Sequence, residues 1–358
     1  MDRRTLWQIY SLIIAIAILM AIVIPLRGCS ESSQPVAIPT TASDPIPSKS
    51  PDNSGSRAEQ EIPLKTTLTG QSGQVFSVFI SRDGKFLASG SNDKTIRVWN
   101  LNNGEPQQIL KSSGSIETLA ISSDGQTLAS GGWGTADNLT LWQISTGVIK
   151  YGFRGHSYNV TALSISEDSQ ILASGDSESN IKIWDLRTGQ LRISFSGNHS
   201  GGVSALVISP DGKTLASGGQ EGKIKVWNID TGKEQRSLSG HAKRVTSLAL
   251  TPDEQNLISA SSDGTIKIWK LATGDLLGPL TGHTSEVTSV AVSTDGKTFL
   301  SGGRDGTIKA WNLSSGELLR TYKLSGYADE FINLAVISNS QILVSGHIFS
   351  SIKIWQFS

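Results

Sequence analysis

The chain has 358 residues, 37% of them hydrophobic and 17% charged, and its 31 Lys and Arg balance 31 Asp and Glu. A net charge of zero offers no basic stripe for neutralising phosphates, so nucleic acid is not an expected partner. With a single cysteine, Cys29, and no His, Cys, Asp and Glu cluster at metal-ligand spacing, no metal or other cofactor is expected.

Residues 1–30 differ from the rest. Arg3 and Arg4 precede an unbroken apolar run from Leu12 to Leu26, long enough to cross a bilayer as a helix when counted from Leu6. Two readings stay open: an uncleaved single-pass anchor, which is preferred, and a signal ending in Leu26-Arg-Gly-Cys29. The second resembles a bacterial lipoprotein signal with Cys29 as the lipidated residue, although Arg27 departs from that pattern. Both place the N-terminus in the cytoplasm and the remainder outside, because the basic residues sit mainly before the apolar run. Residues 31–61 are rich in Ser, Pro, Asp and Thr and read as a disordered tether with a reach on the order of 30 Å.

From residue 62 to 358 the chain repeats. Trp99, Trp142, Trp184, Trp227, Trp269, Trp311 and Trp355 follow one another at intervals of 43, 42, 43, 42, 42 and 44 residues, and such a period signals a repeat architecture. Within one unit the apolar residues alternate over Val287 to Val292, Thr298 to Gly302 and Gly306 to Trp311, separated by Asp295-Gly296 and Asp305-Gly306 turns. A fourth run, Glu317 to Tyr322, precedes the next unit. The last unit stops after its third run, and Pro63 to Leu68 matches the missing fourth, so the two ends are predicted to complete one sheet.

Gly155-His156, Gly240-His241 and Gly282-His283 open their units, and Trp184-Asp185 closes one. With these dipeptides at this period, the chain resembles the WD40 repeat family. The resemblance implies an all-β, seven-bladed β-propeller of four-stranded antiparallel blades, preceded here by an N-terminal transmembrane or signal helix. It also implies a structural hydrogen-bond network inside a blade, complete in His241, Ser259, Asp263 and Trp269 and in His283, Ser301, Asp305 and Trp311. His156 with Trp184 and His199 with Trp227 form partial sets, in which Glu178 and Glu221 replace the turn Asp. Gln71, Ser112 and Tyr327 replace the His elsewhere, and Phe349 replaces the last Asp. A Ser, His and Asp triad does not need to recur every 42 residues or so, so these sets argue against an enzyme. Asp211-Gly-Lys-Thr214 and Asp295-Gly-Lys-Thr298 lack the earlier Gly of a phosphate-binding loop and fall in hairpin turns.

In the family, partners often dock on the loops that carry the Gly-His and the turn Asp, around the channel mouth. Candidate contacts there are Phe76, Trp133, Arg244, Arg304, Tyr327 and Phe349, with Trp133 alone on a lengthened turn and so the sharpest. The expected function is a monomeric, non-enzymatic scaffold for protein–protein interaction, tethered to the outer side of the cytoplasmic membrane. The alternatives are a small-ligand or glycan sensor and a propeller lipoprotein accessory to envelope assembly.

Overall fold

A computed structural model describes residues 59–81, 83–134, 138–324, 331–337, 342–347 and 351–356. The expected anchor or signal, Cys29, Tyr327 and Phe349 lie outside these residues, as does all of the expected tether before residue 59.

The chain opens with β1 (Glu59–Ile62) and β2 (Leu64–Leu68). The Trp99 sheet comprises β3 (Val75–Ile80), β4 (Phe86–Ser91), β5 (Thr95–Asn100) and β6 (Pro106–Lys111). The Trp142 sheet comprises β7 (Ile116–Ile121), β8 (Thr127–Gly132), β9 (Leu139–Gln143) and β10 (Ile149–Gly152). Next come β11 (Val160–Ile165), β12 (Ile171–Asp176), β13 (Asn180–Asp185) and β14 (Leu191–Ser196), followed by β15 (Val203–Ile208), β16 (Thr214–Gly219), β17 (Lys223–Asn228) and β18 (Glu234–Ser239). The Trp269 sheet holds β19 (Val245–Leu250), β20 (Asn256–Ser261), β21 (Ile266–Lys270) and β22 (Leu276–Leu280). Finally, β23 (Val287–Val292), β24 (Thr298–Gly303), β25 (Thr307–Asn312) and β26 (Leu318–Leu324) precede β27 (Phe331–Ile337), β28 (Ile342–His347) and β29 (Ile352–Gln356).

The sheets are not uniform as the period predicts. Six are four-stranded and antiparallel, whereas the Trp311 sheet has five strands in the order β1-β26-β25-β24-β23. Its extra strand runs parallel to β26, with Glu59 opposite Thr321 and Ile62 opposite Leu324. The expectation of seven four-stranded blades behind a helix is therefore corrected: four-stranded blades number six, and there is no helix among the described residues. The physical reason lies in the edge of β26, whose unpaired backbone groups take up another strand. Ile62 anchors that strand, 1% exposed among Ile308, Leu324 and Trp355. Strand β1 thus begins inside the stretch whose composition pointed to a tether. Pro63, which has no N–H to donate, ends this pairing. Beyond it β2 pairs antiparallel with β29, so the two ends of the chain complete one sheet as their sequences predict.

The alternation along each third strand explains the ring. In β13, Ile181 and Ile183 face the next sheet and pack with Val203, Leu206 and Trp227, while Trp184 faces the preceding sheet and packs with Leu139 and Leu141. The pattern continues around the molecule: Trp142 on Ile96 and Val98, Trp269 on Ile224 and Val226, Trp311 on Ile266 and Ile268. Trp99 packs with Ile352 and Ile354, which closes the circle. Each of these indoles is at most 3% exposed. The Ser-Gly pair near the end of every second strand but β20, which has Ser259-Ala260, has a steric cause, since a Cβ on Gly175 or Gly218 would fall 2.6 Å from the Val203 or Val245 side chain of the following sheet.

Candidate partner-binding face

Within a blade, the recurring polar residues meet as one hydrogen-bonded chain. The indole N–H groups of Trp184, Trp227, Trp269 and Trp311 each donate to the Oγ of Ser174, Ser217, Ser259 and Ser301 at 2.8 Å. Those hydroxyls in turn lie 2.7, 2.7, 2.8 and 2.8 Å from Nε2 of His156, His199, His241 and His283. With the serine hydroxyl donating a hydrogen bond to Nε2, Nδ1–H is left to donate to a carboxylate, so a neutral imidazole satisfies every link. Burial favours that form, holding His199 and His241 below their ordinary value of 6.5.

The carboxylates are Asp263 at 3.1 Å, Asp305 at 2.9 Å and Glu221 at 2.8 Å. In the Trp184 blade the acid is Asp176, 2.8 Å from His156 Nδ1, and not the exposed Glu178 that sits at the expected spacing. At the position of Asp176 two other blades carry Gly219 and Gly303, where a Cβ would come within 2.4 Å of Nδ1 of His199 and His283. An acid at that position takes the imidazole itself. Burial raises the carboxyl pKa of both Asp176 and Asp263, but hydrogen bonds outweigh it. Asp176 ends below its ordinary value through His156 and Asn180, and Asp263 at about 2 through Thr265 and the Ala242 N–H. Where the His is absent, Gln71 donates to Ser89 O at 3.2 Å and Trp99 still reaches Ser89 Oγ at 3.1 Å.

The second residue of each innermost strand from β3 to β23 rims a cavity of about 490 Å³. Thr161, Ser204 and Thr246 donate from there to Val203 O, Val245 O and Val287 O of the next blade at 2.6, 2.7 and 2.5 Å, a belt that ties neighbours together. The equivalent residues in the Trp99 and Trp142 blades are Phe76 and Glu117, and both line the cavity. Burial pushes the Glu117 carboxyl above its ordinary value, only partly offset by the Trp133 indole and by Arg244.

Of the candidate contacts, Phe76, Arg244 and Arg304 line one cavity. Arg304 pairs with Glu286 at 3.1 Å. Trp133 stands on the adjoining loop, 60% exposed. Its backbone is fixed: its N–H donates to Ser115 O at 3.0 Å, and its carbonyl sits where a Cβ on Gly114 would be. Glu117 and the exposed Tyr158 were not singled out by sequence. Tyr158 neighbours the Trp133 loop through Asn138, whose Nδ2 donates to Tyr158 O at 2.7 Å and His156 O at 3.1 Å. Glu117 carries a signal in hindsight, an acid at a position that is Thr or Ser in four units.

The sequence model of the WD domain, G-beta repeat (WD40) family matches residues 62–100, 104–138, 147–185, 189–228, 232–270 and 274–312. The chain belongs to this family. It is 33% identical over 130 residues to the WD repeat domain-containing protein 83 homolog of Dictyostelium discoideum, a match covering 36% of this chain and 39% of that protein. It is 30% identical over 136 residues to Autophagy-related protein 16 of Arabidopsis thaliana, covering 37% and 26%. Small ribosomal subunit protein RACK1y of Oryza sativa subsp. japonica is 28% identical over 130 residues, covering 34% and 38%. The chain thus spans less than half the length of each of these relatives.

Proposed function

We propose that the protein is a non-enzymatic scaffold that binds a protein partner at the cavity mouth, in the sector of Phe76, Glu117 and Trp133. One observation carries this reading: where Thr161, Ser204 and Thr246 hold at the belt position a hydroxyl that ties one blade to the next, Phe76 and Glu117 present an aromatic ring and a carboxylate to the cavity, beside a 60% exposed indole whose backbone N–H donates to Ser115 O. Membership of a repeat family whose members serve as interaction platforms supports it. The recurring Ser, His and acid sets are given a structural role, because each hydroxyl is already engaged by an indole and an imidazole.

The apolar run Leu12 to Leu26 supports a membrane tether, and Arg3 and Arg4 before it support a propeller outside the cytoplasm. Cys29→Ala separates the two anchoring modes, since it blocks fatty-acid labelling of a lipoprotein and leaves an uncleaved anchor unchanged. Capture from membrane extract on the full chain tests the interaction reading. Trp133→Ala is expected to weaken retention of a captured protein by roughly 2 kcal/mol, the scale of an aromatic hot spot. Unchanged retention with an unchanged melting temperature removes the proposed sector.

A further inference from the structure

Four charged side chains face the cavity, and they are not equivalent. Arg304 and Glu286 neutralise one another at 3.1 Å, and Ser262 donates a further bond of 2.7 Å to Glu286. That leaves Glu117 on one wall and Arg244 on another. Among the described residues no cation stands within 4.0 Å of the Glu117 carboxylate, although that group is half-buried. A carboxylate withdrawn from water without a paired cation is costly, and a cation brought to it recovers much of that cost. The Trp133 ring adjoins the carboxylate and Phe76 lines the same cavity, so the charge has aromatic surface beside it.

We propose that this sector receives the basic side chain of a protein partner, its ammonium or guanidinium on the Glu117 carboxylate and its methylene stem against Trp133 and Phe76. The inference rests on the interaction reading above and supplies the chemistry of the partner. The backbone bond from the Trp133 N–H to Ser115 O favours it, because an anchor whose main chain is already held loses less freedom on binding. Arg244 sets the polarity: it competes for Glu117 in the free protein and repels a second cation.

The test uses the full chain in a non-ionic detergent, labelled with 5-fluorotryptophan and observed by ¹⁹F NMR, with the Trp133 line assigned by Trp133→Phe. N-acetyl-lysine methylamide and its arginine counterpart are expected to shift that line saturably, and the norleucine and glutamate compounds are not. Glu117→Gln keeps the shape of the side chain and is expected to weaken the lysine compound at least tenfold. Arg244→Gln is expected to strengthen it severalfold, an opposite sign that a merely structural effect does not produce. Equal shifts with norleucine and lysine, or lysine binding unaltered by Glu117→Gln, overturn the proposal. Pools of blocked heptapeptides with lysine or norleucine fixed at the centre then distinguish the source of the cation. Enrichment of the lysine pool supports a polypeptide, whereas no enrichment over norleucine overturns that part in favour of a small cationic ligand. The two readings fail separately. A captured protein that needs Trp133 but binds Glu117→Gln normally removes the cation and keeps the scaffold, while lysine binding with no captured protein does the reverse.

Discussion

Asp263 accepts from the Ala242 N–H at 2.9 Å, the Thr265 N–H at 2.9 Å and the Thr265 hydroxyl at 2.6 Å, besides facing His241. Its side chain is 10% exposed and its carboxyl sits at about 2, below the 3.8 of an unfolded chain. A depressed carboxyl pKa stabilises the fold above the unfolded value, and the contribution is lost as pH falls through the folded one. Asp263→Asn is therefore expected to cost on the order of 2 kcal/mol at pH 7. The deficit relative to the parent chain narrows between about pH 4 and pH 2, as denaturant titrations at several pH values will show. A deficit that stays constant across that window contradicts the assigned charge. Gly175→Ala forces a methyl against Val203, 2.6 Å away, and is expected to lower stability by about 1–3 kcal/mol through overpacking, read as a fall in melting temperature. At this scale the network was legible wherever spacing decides the partner, as for His241 and His283. It was not legible for His156, because two acids two residues apart both fit a turn, and only the direction of the strand end selects Asp176 over Glu178.

The segment from Glu59 to Leu68 serves two sheets, parallel on β26 and antiparallel on β29. Its second half could be recognised from its likeness to the other fourth strands. Its first half could not: four residues reading Glu-Gln-Glu-Ile show no alternation long enough to mark a strand, and the pairing depends on an edge formed some 260 residues later. Ile62 is the residue that secures it. Ile62→Ala is expected to cost about 2–4 kcal/mol, and removal of residues before 64 is expected to lower the melting temperature without unfolding the ring. Removal of everything before Gly70 also strips Leu68, 5% exposed, from its cluster and leaves β29 unpaired, so aggregation on heating is expected. Equal light scattering and equal melting for the two truncations contradict the assigned roles.

For the whole molecule, the period of the tryptophans is a contact between sheets, each indole buried on the apolar pair of its neighbour, which is why the repeat was visible and why it closes into a ring. The interaction surface was only partly visible. Phe76 and Trp133 stood out as spare aromatics, whereas Glu117 gains its meaning from the hydroxyl belt that it interrupts. The central claim is that a protein partner sits at the mouth over Trp133. It is tested most directly by a photo-crosslinking amino acid, p-benzoylphenylalanine, placed at position 133 of the full chain in its own cells, with a control at Leu277, 53% exposed on the outer strand β22. A discrete adduct from position 133 and none from 277 is the predicted result. Adducts from 277 with none from 133, or from neither, contradict the claim.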